Sequence, residues 1–304
     1  MKRLEFHISY ICNHNCIFCS EYDRLQKYRT SPLTILQIKT ILVDRRKQGF
    51  NHVNFTGGEP TIISGFLELL KFTKKLGYKI YVGTNGTMFA GENFAKEALK
   101  YIDELSLSIH WYDEETVKKQ TGLKNHFDIY KNYISKNIIK YKTNNNFFFS
   151  NIVLNKYNYQ NIMEIIKFIK STYIDVKQIL ISNIAPEGLA DHTFSELVFD
   201  LYEFKKYIPE IVNYCNENSL TLRFFGLPTC ILGELYYDYS NDEHWEERHT
   251  IERFTTKDGK IVLKDIYSPD NSRKRTFVEM CNDCKWKTNP CTGIFRKYLE
   301  YYKF

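Results

Sequence analysis

The sequence predicts an α/β fold: an open, partial (β/α)6 barrel over residues 1–218, followed by a small subdomain over residues 219–304. Three observations predict it. Short apolar runs alternate with amphipathic stretches from the N-terminus to about residue 217. Six of those runs are each followed by a helical pattern, the mark of parallel βα units, and six units fall short of a complete eightfold barrel. Beyond residue 218 the alternation stops, and a hairpin pattern and three cysteines take over.

The strands are expected at Glu5–Tyr10, His52–Thr56, Lys79–Gly83, Glu104–Ile109, Phe147–Leu154 and Gln178–Asn183. Between them lie helices at Thr34–Lys47, Gly65–Leu76, Asn93–Tyr101, Phe127–Lys142 and Asn161–Ser171. In the last of these, Ile162, Ile165, Ile166 and Ile169 share one helical face, which must be buried. A longer helix, Ser195–Glu217, closes the barrel part. After it come a short strand at Leu220–Phe224 and a hairpin of Arg253–Thr256 and Lys260–Asp265 across Lys257-Asp258-Gly259. An acidic, aromatic loop at Tyr236–Arg248 and a final helix at Pro290–Lys303 complete the chain.

The 304 residues are 43% hydrophobic and 16% aromatic, a globular composition. The net charge of +6 comes from scattered lysines, so neither a nucleic-acid partner nor any other anionic partner is implied. No run of about 18 apolar residues exists, and Glu5 and His7 interrupt the place of a signal peptide; a cytoplasmic protein with no membrane partner is expected. In reducing surroundings its eight cysteines suit metal ligation or free thiols better than disulfides.

Cys12, Cys16 and Cys19 stand in the string C-N-H-N-C-I-F-C, directly after the first strand. Three thiolates on one loop ligate three irons of a 4Fe–4S cluster and leave the fourth iron open. A zinc site is the alternative, with His14 as a competing ligand. Phe55-Thr56-Gly57-Gly58-Glu59-Pro60 ends the second strand: its glycines permit close backbone approach, and Glu59 offers a carboxylate to an ammonium group. Read alone, Gly57 to Pro60 is also a plain strand-to-helix turn.

Together the cysteine loop and the Gly-Gly-Glu-Pro string resemble the radical S-adenosylmethionine (radical SAM) superfamily, over residues 5 to about 190. The resemblance implies that Gly57, Gly58, Glu59 and Pro60 bind the methionine end of S-adenosylmethionine. Weaker matches follow at successive strand ends: Asn85 in Thr84-Asn85-Gly86, Ser108 and His110 in Ser108-Ile109-His110, Asn151 in the fifth strand, and Ala185-Pro186-Glu187-Gly188 after the sixth. Phe18 resembles the aromatic that lies beside adenine, and Ser108 would bond the carboxylate or ribose. For Phe18 and His110 a packing role stands equally open. The implied mechanism is reductive cleavage of S-adenosylmethionine to a 5′-deoxyadenosyl radical that abstracts hydrogen from substrate, with an electron donor such as flavodoxin or ferredoxin.

Cys281, Cys284 and Cys291, with Cys230 upstream of the hairpin, provide four thiolates for an auxiliary 4Fe–4S cluster, or equally for zinc. The arrangement resembles the SPASM/Twitch extensions of the superfamily, in the short Twitch-like form, on a TIM-like partial barrel. Trp286 and Trp245 are candidate cluster or substrate contacts, with packing favoured, and Cys215 is expected to be a small core residue. Relatives with this combination most often modify ribosomally made peptides by crosslink, thioether or epimerisation. The sequence starts four residues before its first strand, so leader recognition is expected from the barrel or a separate leader-binding protein. The rival expectations are a small-molecule, nucleotide or RNA substrate, or a noncatalytic metal-binding partner protein.

Overall fold

The computed structural model describes residues 2–173, 175–241, 248–268, 274–288 and 291–303. Seven strands, β1 (Arg3–Ser9), β2 (His52–Gly57), β3 (Lys79–Thr84), β4 (Glu104–Ser108), β5 (Phe147–Leu154), β6 (Val176–Asn183) and β7 (Thr221–Phe225), pair in parallel and in chain order. The hairpin β8 (Arg248–Thr255) and β9 (Ile261–Ser268) adds to the other side of β1, with β8 parallel to it. The result is one nine-stranded sheet, β7-β6-β5-β4-β3-β2-β1-β8-β9.

All six expected barrel strands are present. The strand expected at Leu220–Phe224 is β7, and it extends the barrel sheet because Gln178–Ser182 of β6 offers it a free edge. The sheet therefore runs across residue 218.

Strand alternation divides the sheet into two faces. Leu4, Phe6 and Ile8 of β1, with Val53 and Phe55 of β2, are buried against the helical layer. On the opposite face, residues of non-neighbouring strands meet. Arg3 of β1 lies 3.7 Å from Glu104 of β4, and the Tyr81 and Phe149 rings of β3 and β5 are 5.2 Å apart. Contacts that skip a strand require a curled sheet, so this face is the concave interior of a partial barrel.

The helix Ile35–Lys47 starts where Thr34 and Gln37 form a reciprocal capping box, one residue into the expected span. The helix Ile162–Thr172 buries Ile162, Ile165, Ile166 and Ile169 together, as their spacing requires. The helix expected at Phe127–Lys142 runs from His126 to Tyr141 and is widened in its middle by a π turn at Tyr130–Ile134 that sets Tyr130 edge-on to Trp111 at 4.9 Å.

Two helices differ from expectation. Ser195–Glu217 is broken into Phe194–Leu197, Leu201–Lys205 and Ile208–Glu217. Asp200 caps the second piece by accepting from the Tyr202 N–H, and Pro209, with no N–H to give, fits only the first turn of the third. The C-terminal helix reduces to a 3-10 turn, Arg296–Glu300, because Ile294–Phe295 pairs as a short strand with Arg275–Thr276. The hairpin turns at the expected Lys257-Asp258-Gly259, but its strands are longer than expected, at Arg248–Thr255 and Ile261–Ser268. Trp245 and the rest of 242–247 in the expected Tyr236–Arg248 loop lie outside the described residues.

Candidate active site

The loop carrying Cys12, Cys16 and Cys19 leaves the C-terminal end of β1 and is clamped from three sides. On one side the Asn15 and Ile17 N–H groups donate to the carbonyls of Thr121 and Gln120, at 2.9 and 3.1 Å. Opposite, the Gly58 N–H donates to Ser9 at 2.7 Å and the Glu59 N–H to Ile11 at 2.8 Å. From a third side the Leu189 N–H donates to the carbonyl of Cys19 at 2.9 Å.

These approaches explain the glycines. A Cβ on Gly57 would stand 2.3 Å from the Ser9 oxygen, one on Gly58 2.4 Å from that of Ile11, and one on Gly188 2.5 Å from those of Cys19 and Ser20. Gly57 and Gly188 also hold positive φ, at 118° and 57°. Their bareness makes room for the cysteine loop itself.

Within the loop, burial raises all three thiols. Cys19 rises to about 12, and burial with its two cysteine neighbours raises Cys16 well above the ordinary thiol value. Burial likewise raises Cys12, against donation from the His14 N–H to its Sγ at 3.4 Å. Loading such a site exchanges protons for metal. Among the described residues no three His, Cys, Asp or Glu side chains close on a single ion. The donor set suits a cluster instead: three thiols, mutually within electrostatic reach, on one braced loop at the strand ends.

Glu59 is 1% exposed and spans β2 to β3. Its Oε1 accepts from the Thr61 N–H at 3.0 Å, the Thr61 hydroxyl at 2.5 Å and the Thr84 hydroxyl at 2.7 Å; its Oε2 accepts from the Asn85 N–H at 2.7 Å. Burial raises its pKa against those donors, and among the described residues no cation pairs with it. A buried carboxylate with only neutral donors has room for a cationic ligand. Asn85 uses its side chain internally: its amide donates to Asn13 of the loop at 2.8 Å, and its oxygen accepts from Thr87.

The remaining candidates divide. Ser108 and Asn151 are register partners at the ends of β4 and β5, and the Asn151 oxygen accepts from Ser182 at 3.0 Å. The buried Nδ1 of His110 accepts from the Val153 N–H at 2.9 Å, and burial lowers its pKa to about 3, so the ring is neutral with its proton on Nε2. Phe18 packs edge-on against that ring at 4.7 Å. His14 is also neutral, lowered to about 3 by burial with His126 and His110 nearby, and its Nε2 bonds the Thr87 hydroxyl.

Sequence reasoning missed an ionic chain beside the loop. His7 is flanked by Glu21 at 3.1 Å and Glu5 at 3.2 Å, and Arg24 joins Glu21 to Glu252 of β8. Burial opposes the His7 charge, but Glu21 and then Glu5 outweigh it and raise the pKa to about 10. The return of the chain after the cysteine loop brings Glu21 and Arg24 back to His7, and the pairing of β8 with β1 adds Glu252.

At the other end, Cys230, Cys281, Cys284 and Cys291 gather near the end of β7. Burial raises the Cys230 pKa, and the neighbouring Cys291, Cys281 and Cys284 raise it further, which places all four within electrostatic reach. Trp286 lies 6.3 Å from Tyr237, a packing contact. Cys215 is fully buried in the helix Ile208–Glu217, raised to about 12 by burial.

An open parallel βα barrel with a braced three-thiol loop and a buried, cation-free carboxylate at its strand ends defines a class: barrel enzymes built around a cysteine-held cluster and a cationic cosubstrate. The chain belongs to the radical SAM superfamily, whose pattern matches residues 6–169.

A protein of Saccharolobus solfataricus named "Probable GTP 3',8-cyclase" is 32% identical over 251 residues, covering 79% of this chain and 76% of its own length. A namesake from Saccharolobus islandicus is 30% identical over 250 residues, with the same coverage. Among solved structures, Streptococcus suis SuiB bound to precursor peptide SuiA aligns with a TM-score of 0.58 at 17% identity, over 82% of this chain. The present chain covers 57% of SuiB. The anSMEcpe structure with bound AdoMet aligns at 0.57 and 18% identity, over 72% of this chain and 61% of its own. Both carry the same fold. No described helix is long and apolar enough to cross a membrane.

Proposed function

We propose that this radical SAM enzyme modifies a peptide, using the Cys12, Cys16 and Cys19 loop for the S-adenosylmethionine cluster and Cys230, Cys281, Cys284 and Cys291 for a second 4Fe–4S cluster. The observation that carries the substrate reading is the lining of the barrel mouth. The concave face at the strand ends presents Ser9, Thr56, Ser108, Asn151, Ser182 and Phe225, all uncharged, and the charged His7 beside Thr56 is already met by Glu5 and Glu21. Arg223 lies one layer deeper, and Arg275 is held between the Phe225 and Phe295 rings at 5.2 and 4.8 Å. A triphosphate calls for several converging cations; amide and hydroxyl groups suit a peptide backbone.

When bound, the cluster and S-adenosylmethionine supply a carbon-centred radical. The chain's own residues orient and shield. Glu59 would take the methionine ammonium on Oε2, Ser108 the carboxylate or ribose, and Phe18 the adenine edge, while the neutral His110 holds Phe18 in place and donates from Nε2. With four thiolates at the second centre every iron has a protein ligand, so that cluster would pass electrons and leave the substrate unligated.

A nucleotide substrate is the second reading, favoured by the names of the Saccharolobus relatives. One experiment separates the readings. The chain is reconstituted anaerobically, assayed for iron, sulfide and zinc, then given S-adenosylmethionine, reductant and either GTP or candidate precursor peptides. About eight irons and eight sulfides per chain support two clusters; about four irons with one zinc would make the second centre a structural clip. Consumption of GTP with 5′-deoxyadenosine formation would replace the peptide reading.

A further inference from the structure

We propose that Asn85 is a positioning residue for the cleavage of S-adenosylmethionine: it ties the Glu59 carboxylate to the Cys12–Cys16 stretch of the cysteine loop and so sets where cosubstrate and cluster meet. The inference rests on the reading of that loop and of Glu59 as the cluster and cosubstrate sites, and it adds the part that joins them.

Asn85 is 8% exposed, in the turn after β3. Each of its polar groups is committed to a different segment. The backbone N–H donates to Glu59 Oε2 at 2.7 Å, and the side-chain NH2 donates to Asn13 Oδ1 at 2.8 Å. The side-chain oxygen accepts from the Thr87 N–H at 3.0 Å and from the Thr87 hydroxyl at 2.7 Å. An N–H can only donate, so the oxygen must face Thr87 and the NH2 must face the loop.

A second tie runs beside the first. Thr87 gives its hydroxyl hydrogen to Asn85, so its oxygen is left to accept from His14 Nε2, at 3.2 Å. Asn13 and His14 are therefore both held from the end of β3, while the Asn15 N–H donates to Thr121 on the other side. Every residue between Cys12 and Cys16 is anchored, two of the three by the segment that also holds Glu59. The two sites are close: burial raises the Cys12 thiol, and the Glu59 charge adds to that rise. A single buried residue spans them.

Such a tie acts on rate more than on binding. The backbone N–H that holds Glu59 survives any side-chain substitution at Asn85, so the carboxylate keeps its place for an ammonium group. The loop does not keep its place, and a misplacement of about 1 Å between reacting groups costs about 100-fold in rate.

The test compares the reconstituted enzyme with Asn85→Ala, Asn85→Asp, Asn13→Asp and the double variant Asn85→Asp, Asn13→Asp. Affinity for S-adenosylmethionine is read from its change of the reduced cluster's electron paramagnetic resonance signal. The rate of 5′-deoxyadenosine formation is read with dithionite at saturating S-adenosylmethionine. Asn85→Ala is expected to bind within about threefold of the parent and to cleave about tenfold more slowly. Either single acid keeps the tie, because the remaining asparagine can turn its amide and donate to the new carboxylate. The double variant sets two carboxylates face to face with no donor between them, and is expected to lose about tenfold more than the two singles combined.

Parent-like cleavage in Asn85→Ala, a loss confined to affinity, or merely additive losses in the double variant would each overturn the proposal. Should Asn85→Ala take up no iron, the three acid variants carry the test. If no signal in the parent responds to S-adenosylmethionine, the reading of the loop fails first and the proposal falls with it.

Discussion

At Gly188 a single hydrogen atom decides the position of the cysteine loop. Adding a methyl group there would drive Cβ into two backbone oxygens, of Cys19 and Ser20, that have no rotamer to escape into. Gly188→Ala is therefore expected to keep the fold but lose iron from the first cluster, by about half of the total in a two-cluster enzyme. Iron per chain alongside far-ultraviolet circular dichroism checks it, and full iron content would show that the loop can yield. His7 makes a second prediction. Its pKa is 6.5 unfolded and about 10 folded, so its charge stabilises the fold fully below about pH 6.5, and that contribution fades as the pH approaches 10. Urea unfolding of apo protein should find His7→Gln most destabilising near pH 6 and least near pH 10. A pH-independent difference would mean that packing, and not charge, is what the substitution removes. The Cys12, Cys16 and Cys19 spacing was readable in the sequence, as was Glu59. The partners of Glu59 were not, because Thr84 and Asn85 reach it only through the pairing of β2 with β3.

Among elements, the helix Glu114–Thr121 couples stability to the site. It begins at a capping box in which the Asp113 carboxylate accepts from the Thr116 N–H at 2.8 Å, and it ends in the carbonyls that hold Asn15 and Ile17. Asp113→Ala should cost about 1 kcal/mol, read in thermal unfolding, and should speed amide exchange at Asn15 and Ile17. Unchanged exchange there would show that the loop is braced by Gly58 and Leu189 alone. The pattern carries no expectation for this helix, whose apolar face is interrupted by the buried Gln120 and Thr121. Strands were easier to read than helices throughout. A strand in a parallel sheet is a short apolar run bounded by turns, whereas helix ends depend on single caps. Asp200 and Pro209 cut one expected helix into three.

Taken whole, the molecule completes its open sheet beyond β1 with β8 and β9, strands the sequence reading places in the C-terminal segment. The local hairpin pattern was legible, but its pairing with β1 was not, since nothing in Arg248–Thr255 names a partner strand some 245 residues away. That pairing has a consequence for biosynthesis. The cysteine loop leaves the ribosome before Gly188, which packs on Cys19, and before β8, which flanks β1. During synthesis the three thiols exist without the walls that space them, free to capture stray metal or to oxidise. Correct cluster delivery must therefore wait for Gly188 and β8, and a ribosome that stalls before them leaves a reactive trithiol segment in place of an enzyme.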